Sequence, residues 1–286
     1  MAVYFVLFFQ SLIASGTHIV AKVVVSDIEP VTLTMLRSVM AMVGLLAIAA
    51  VRKTSFNFDR KDYKSIVMLS ILAIPVNQFL FLSAIKLTTP ANAALLYGTT
   101  PAIVLLLTRL LGKENISWKK GVGVAVAFCG VVVIIFQHGI DFRSDYTFGN
   151  LLMLVAVFAW AMYSVSGRPL ILKYGAFPTS AATMILGTIL FMPIGLINVV
   201  RYNFSTITIA HWGGLLYLSL GTSIFAYFLW YYALARIEAS KVAIFANLQP
   251  VLTTILAVVL LGQTITPTFV VGGVIALSGV VLTQWG

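Results

Sequence analysis

Charged residues and cysteine are scarce in this chain. Asp, Glu, Lys and Arg together make up 9% of its 286 residues, against roughly 25% in a soluble domain. Cys129 is the one cysteine, which excludes an intramolecular disulfide and a cysteine metal cluster. His18, His138 and His211 are scattered along the chain without a zinc-binding spacing. We therefore expect no metal site, no cofactor and no enzymatic activity.

Acidic residues are missing from the long apolar runs. Ionisable groups inside a membrane are costly and are kept for a task, and coupling to protons or sodium commonly uses buried carboxylates. The sequence therefore predicts no coupling through a carboxylate. All eight acids fall in predicted loops or at predicted helix ends: Asp27, Glu29, Asp59, Asp62, Glu114, Asp141, Asp145 and Glu238.

Apolar residues dominate what is present. Hydrophobic residues make up 60% of the chain, and its mean hydropathy is +1.04. A helix needs about 20 apolar residues to cross a bilayer, and these runs are too long and too uniformly apolar for the strands of a membrane barrel. The sequence predicts an all-α integral membrane protein with ten transmembrane helices, at residues 2–21, 31–51, 65–86, 91–111, 117–137, 148–168, 179–200, 211–235, 240–261 and 267–285.

The second half of the chain resembles the first at an offset of 149 residues. We predict internal repeats at about 1–138 and 147–286 within one membrane domain, 1–286, because the loops are too short for a separate soluble domain. Five helices per repeat is an odd number, so the two repeats are inverted, an arrangement that permits alternating access. The offset places Pro101 on Pro250, Ala84 on Ala233, Gly123 on Gly272 and Gly130 on Gly279.

The positive charges predict the orientation in the membrane. Loops rich in Lys and Arg stay in the cytoplasm, so we expect an inner-membrane protein with both termini cytoplasmic. The first run lacks the positively charged segment of a signal peptide and is predicted to be the first helix. Lys22, Lys86, Arg143 and Arg201 lie in the opposite loops. The loops after helices 2, 4, 6 and 8 hold thirteen of the eighteen basic residues: Arg52, Lys53, Arg60, Lys61, Lys64, Arg109, Lys113, Lys119, Lys120, Arg168, Lys173, Arg236 and Lys241.

The net charge of +10 does not indicate a nucleic-acid partner. Nucleic-acid binding requires basic residues clustered on a water-facing module, whereas these charges flank membrane helices. The partners expected are membrane lipid and a small-molecule substrate.

Polar and aromatic side chains inside the predicted helices are the candidates for substrate binding. Aromatic rings offer large contact area with directional hydroxyl or indole N–H groups; the alternative is an interfacial aromatic belt. Buried amides either touch substrate or bond another helix. The predicted substrate-binding residues are Gln10, Thr17, Asn77, Gln78, Tyr97, Trp160, Tyr163, Tyr227, Trp230, Tyr231, Asn247 and Gln249.

Four further residues have predicted roles beside this set. Pro101 and Pro250 lie inside predicted helices 4 and 9, where each frees a backbone carbonyl and kinks the helix, for packing or for gating. His18 is either a packing residue or a proton-coupling group. Arg37 either extends to the lipid headgroups, which we favour because it lies near the outer end of helix 2, or binds a substrate carboxylate.

Glycines repeat along predicted helices 5 and 10. Small residues let membrane helices approach closely, so these glycines predict packing surfaces and a possible homodimer. They are Gly121, Gly123 and Gly130 in one helix, and Gly272, Gly273 and Gly279 in the other.

Two stretches, residues 94–134 and 246–282, share one pattern: a Pro-containing helix, a short polar turn with glycine, and a Gly-rich helix. They begin ALLYGTTPAIV and ANLQPVLTTIL. In this pattern the chain resembles the drug/metabolite transporter superfamily, in its EamA-like ten-helix branch. The resemblance implies a secondary carrier of small metabolites, similar to bacterial exporters of amino acids, and it transfers no catalytic residue. The small four-helix relatives use a carboxylate in their first helix, which this chain lacks.

The sequence thus predicts a secondary transporter that exports amino acids or related compounds by alternating access. A small, partly apolar amino acid suits an aromatic, amide-rich cavity, whereas sugar phosphates and nucleotide sugars require more cations. The alternatives are an exporter of multiple drugs or cationic amines, a channel or flippase, and a structural membrane protein without solute flux.

Overall fold

Helices form almost the whole chain. The computed structural model describes residues 2–111, 117–136 and 144–285, and no strand occurs among them. Nine of the described helices are long and apolar enough to cross a membrane, and a tenth, Pro267–Trp285, has an apolar stretch at Pro267–Thr283. In chain order they are α1 Ala2–Asp27, α2 Pro30–Val51, α3 Arg60–Leu87, α4 Pro90–Leu110, α5 Trp118–Ile135, α6 Asp145–Tyr174, α7 Ala176–Arg201, α8 Ile209–Leu234, α9 Ala239–Leu261 and α10 Pro267–Trp285.

The ten predicted helices are confirmed, but α1 and α6 extend past their predicted ends at residues 21 and 168. The prediction ended these helices at basic residues, and the structure keeps those residues helical by giving them partners. Lys22 Nζ donates to the carbonyls of Ile85, Lys86 and Thr88 at 3.0, 3.1 and 2.7 Å. The predictions for Lys113, Glu114, His138, Asp141 and Arg143 lie outside the described residues.

Exposure is reversed relative to a water-soluble protein. Large apolar side chains such as Phe5, Ile194 and Val259 are exposed on the outside of the bundle, while many polar side chains are buried between the helices. An apolar outer surface is stable in hydrocarbon, where helices satisfy their own backbone hydrogen bonds. The fold is an all-α membrane bundle.

The two halves interrupt their helices at equivalent places. In α3 the segment Leu72–Gln78 is π-helical, and in α8 the segment Tyr217–Ala226 is π-helical. The offset of 149 residues places 72–78 on 221–227, so the two segments overlap almost fully. Such π-helical turns are rare and frequently occur at functional sites.

Helices α4 and α9 are interrupted as well. Helix α4 divides into Pro90–Gly98 and Thr100–Leu110, and α9 contains the 3₁₀ turn Ile244–Asn247 before Leu248–Leu261. The two helices touch at these points, since a methyl group at Gly98 would lie 2.7 Å from Pro250 Cγ.

The position of the prolines corrects the sequence prediction. Pro101 and Pro250 begin the second segment of their helices instead of lying in a continuous interior. The carbonyl oxygen of Tyr97, predicted to be freed by Pro101, accepts a hydrogen bond of 2.5 Å from the Thr100 hydroxyl. Proline is tolerated in a first helical turn because the N–H groups there have no partner within the helix.

Helices α5 and α10 pack face to face through their glycines. A methyl group at Gly130 would lie 2.6 Å from Ala276 Cα, and one at Gly279 would lie 2.7 Å from Ala127 Cα. These surfaces are therefore occupied within the chain. The predicted homodimer stays a prediction and gains no support from them.

Candidate functional site

A partly open pocket with a cavity volume of about 60 Å³ lies between α1, α2, α3, α4, α6, α8 and α9. The π-helical segments of α3 and α8 reach this pocket through Asn77, Gln78, Thr222 and Ala226. Ten of the predicted site residues line it: Gln10, Thr17, His18, Arg37, Asn77, Gln78, Tyr97, Trp160, Tyr227 and Gln249.

Four predicted binding residues lie outside the pocket lining. Tyr163 and Tyr231 stack on each other with ring centroids 4.8 Å apart, and Tyr163 also stacks on Trp160 at 5.8 Å. Trp230 donates its indole N–H to Ser164 Oγ at 2.8 Å. These rings support the aromatic wall of the pocket from behind, so for Tyr163, Trp230 and Tyr231 the structure favours packing over direct contact. Asn247, in the 3₁₀ turn of α9, is also outside the lining.

Asn77 is the centre of the hydrogen-bond network in the pocket. Its amide nitrogen donates to the Tyr97 hydroxyl and to the Ala156 carbonyl, both at 2.8 Å, and its oxygen accepts from the Tyr227 hydroxyl at 2.9 Å. One side chain thus joins α3 to α4, α6 and α8. The sequence left two roles open for Asn77: a hydrogen bond to another helix or contact with the substrate. In the structure Asn77 bonds other helices and also lines the pocket.

Arg37 is buried, with 1% of its surface exposed, so the predicted extension to the headgroups is wrong. Its Nη2 donates to the Leu218 carbonyl at 3.2 Å and to Ser223 Oγ at 3.0 Å. Both acceptors belong to the π-helical segment of α8. The partners on α8 explain why the guanidinium stays inside.

His18 contributes a ring with one free nitrogen. Its Nδ1 lies 2.9 Å from the Ala14 carbonyl oxygen, and the ring packs edge-on against Phe81 and Tyr97 at 5.3 and 5.5 Å. Its predicted role in proton coupling stays a prediction.

No acidic residue lines the pocket among the described residues. The described acids lie at or beside helix ends, where Glu29 pairs with Lys86 at 2.8 Å and Asp27 lies 3.0 Å from the His211 ring. At the other end of the bundle, Lys173 donates to Asp59, and this hydrogen bond holds the pKa of the Asp59 carboxyl below its ordinary value. Arg37 is therefore the one permanently charged side chain of the described pocket.

Four lining residues were not predicted: Ala14, Phe81, Thr222 and Ala226. Thr222 and Tyr227 are five residues apart, which is one turn of a π-helix but places them on different faces of an α-helix. A search at α-helical spacing therefore misses Thr222, whose hydroxyl lies 2.7 Å from that of Thr17. The repeat carried a signal for Ala226, since the offset places it on Asn77.

A helical membrane bundle whose two halves interrupt equivalent helices around a pocket has an architecture found in membrane transporters. The chain belongs to the EamA-like transporter family, whose sequence model matches it twice, over residues 1–136 and 147–285. The family is one of transporters, not of enzymes. The protein is an integral membrane transporter.

Individual relatives agree with this assignment. A protein of Archaeoglobus fulgidus named as an uncharacterized transporter is 33% identical, over 95% of this chain and 93% of its own. The uncharacterized transporter YyaM of Bacillus subtilis is 29% identical, over 97% and 92%. A probable terminal-alkyne amino-acid exporter of Streptantibioticus cattleyicolor is 28% identical, over 67% of this chain and 63% of its own.

The fold also has a counterpart among solved structures. One crystal structure superposes with a TM-score of 0.72, over 99% of this chain and 96% of the other, at 20% sequence identity. This likeness concerns the fold alone.

Proposed function

We propose that this transporter is a secondary carrier that exports a small, amino-acid-like metabolite across the cytoplasmic membrane by alternating access. One observation carries the proposal: in the described part of the chain, a pocket lined by polar and aromatic side chains lies where both pairs of interrupted helices meet. Discontinuous helices at a repeat interface are the usual location of a carrier's binding site. The predicted binding residues that line the pocket are proposed to contact the cargo.

The two repeats supply the mechanism. We treat residues 1–286 as one membrane domain in which the second five-helix repeat runs opposite to the first. Rocking one repeat against the other then opens the same pocket to either side. The excess of basic residues in the loops after α2, α4, α6 and α8 supports cytoplasmic termini.

The chemistry of the pocket supports an amino-acid-like cargo. Its lining combines apolar faces with a few polar groups, as ordinary small-molecule sites do. Tyr97, Trp160 and Tyr227 supply apolar faces, Asn77 and Gln78 supply amides, and Arg37 supplies one positive charge. The relative named as a probable amino-acid exporter points to the same class. Cationic amines remain the second candidate because aromatic faces attract cations.

Counterflow in proteoliposomes tests this function. Vesicles holding the purified protein are loaded with unlabelled phenylalanine, threonine or a quaternary amine, and uptake of the same radiolabelled compound is followed. We expect saturable accumulation of an amino acid, which requires a carrier. Linear leak of all three compounds contradicts a carrier and indicates a channel, and accumulation of the quaternary amine alone contradicts the substrate class.

A further inference from the structure

The pocket contains a buried positive charge without a counter-ion. Arg37 is 1% exposed, and the ion pairs among the described residues do not include it. Its hydrogen-bond partners, the Leu218 carbonyl and Ser223 Oγ, are neutral. A buried charge is stable only when it is paired or fully hydrogen-bonded, and an ionisable residue inside a membrane marks a functional site.

The guanidinium also has an unused donor. Arg37 Nε is buried and has no hydrogen-bond partner within the described structure, and the side chain lines the pocket. Both neutral partners bind Nη2 and occupy its two N–H groups, so they fix the orientation of the guanidinium and leave its Nε–H without a partner. A carboxylate suits this position because one of its oxygens accepts a hydrogen bond from Nε–H while its negative charge compensates the buried guanidinium.

Two other pocket atoms lack partners, and both are acceptors: Gln10 Oε1 and His18 Nε2. Because a carbonyl oxygen only accepts, His18 Nδ1 donates to Ala14, and in the neutral ring this leaves Nε2 as an acceptor. The pocket thus presents one cationic donor together with separate acceptors. A molecule with a carboxylate and more than one N–H or O–H provides partners for the one donor and the two acceptors.

We propose that Arg37 binds the carboxylate of the cargo and makes this transporter selective for carboxylates over their neutral amides. The inference rests on the proposed carrier function and adds the group by which the cargo is recognised. His18 and Gln10 accept hydrogen bonds from the donor group of the same molecule.

The alternative is that Arg37 only holds α8 in place, because it bonds Leu218 and Ser223. A structural role predicts that its replacement lowers transport of every compound equally. A binding role predicts a change in the ratio between an acid and its amide. The ratio of acid transport to amide transport therefore distinguishes a binding role of Arg37 from a structural one.

The test compares phenylalanine with phenylalaninamide, which replaces the carboxylate by a neutral amide. Transport of each is measured over a range of concentrations in proteoliposomes holding the wild-type chain. A lost hydrogen-bonded charge pair of this kind corresponds to about 10- to 100-fold, so we expect the half-saturating concentration of the amide to exceed that of the acid by that factor. Saturable transport with equal values for both overturns the inference and leaves the carrier function standing. Failure of every probe to accumulate contradicts both.

The variant Arg37→Gln then tests whether Arg37 is the residue that causes the preference for the acid. We expect it to remove most of the preference for the acid, chiefly by weakening phenylalanine transport, and Arg37→Lys, which keeps the charge, to retain part of it. Arg168→Gln is the matched control, since Arg168 is half-buried and bonds the Leu234 carbonyl at 3.3 Å, away from the pocket. An unchanged acid preference in Arg37→Gln overturns the assignment. If that variant does not insert, the wild-type comparison decides.

Discussion

At the scale of single residues, the pocket is organised by a few side chains with several partners each. Asn77 has three hydrogen bonds to three other helices, and two of them involve the hydroxyls of Tyr97 and Tyr227. A buried polar group left without its partner costs free energy. The side chain that joins the helices therefore also holds two tyrosines at the pocket wall.

Asn77→Ala tests this role. We expect a loss of about 1–3 kcal/mol for each buried partner left unpaired, together with weaker substrate transport because Tyr97 and Tyr227 are no longer fixed. Thermal unfolding in detergent and counterflow measure the two effects. Asn198→Ala is the control, since Asn198 is exposed and bonds the Ile194 carbonyl of its own helix. Equal effects of the two substitutions would contradict the account.

Arg37 shows what single-residue reasoning from sequence misses. Because Arg37 lies near the end of a predicted helix, the sequence predicts that its side chain extends to the lipid headgroups. Its burial depends instead on Leu218 and Ser223, which lie more than 180 residues away in sequence. The buried amides were predictable, because a polar side chain in the middle of an apolar run needs a partner.

At the scale of helices, the interruptions occur in pairs. The π-helical segments of α3 and α8 and the breaks of α4 and α9 coincide under the repeat offset. The prolines predicted the breaks in α4 and α9. Nothing in the composition predicted the π-helical segments, since they differ from an α-helix in hydrogen-bond register and not in residue type.

Pro101→Ala tests the break in α4. The substitution adds a backbone N–H that competes with the Thr100 hydroxyl for the Tyr97 carbonyl and favours a straight helix. We expect slower turnover with a smaller change in half-saturating concentration. Pro193→Ala is the control, because Pro193 lies inside α7 on the exposed face of the bundle. Unchanged turnover in Pro101→Ala, at matched amounts of protein, argues against a role of this break in the transport cycle.

Helices α5 and α10 have a different task, since they pack on each other through glycine and lie outside the pocket. Gly130→Ala should destabilise the protein by about 1–3 kcal/mol, because the added methyl group overlaps the Ala276 backbone. Gly121→Ala in the same helix has no atom within 4 Å of the new methyl group and should be neutral or slightly stabilising. Thermal unfolding compares them, and equal midpoints would refute this packing.

At the scale of the whole molecule, a repeated backbone carries an unsymmetrical pocket. The offset places Asn77 on Ala226 and Gln78 on Tyr227, so the first repeat contributes amides where the second contributes a methyl group and an aromatic ring. The fold was predictable because hydrophobic length and the repeat both leave marks in sequence. The pocket's unpaired atoms were not, since they depend on how seven helices pack together.

The central claim is that one pocket opens to each side of the membrane in turn. A single cysteine, Ala226→Cys, placed in the pocket wall in a Cys129→Ser background, tests it directly. Right-side-out and inside-out vesicles are treated with a membrane-impermeant thiol reagent, with and without the cargo found in counterflow. We predict modification from both sides and slower modification when cargo is bound. Modification from one side only would contradict alternating access.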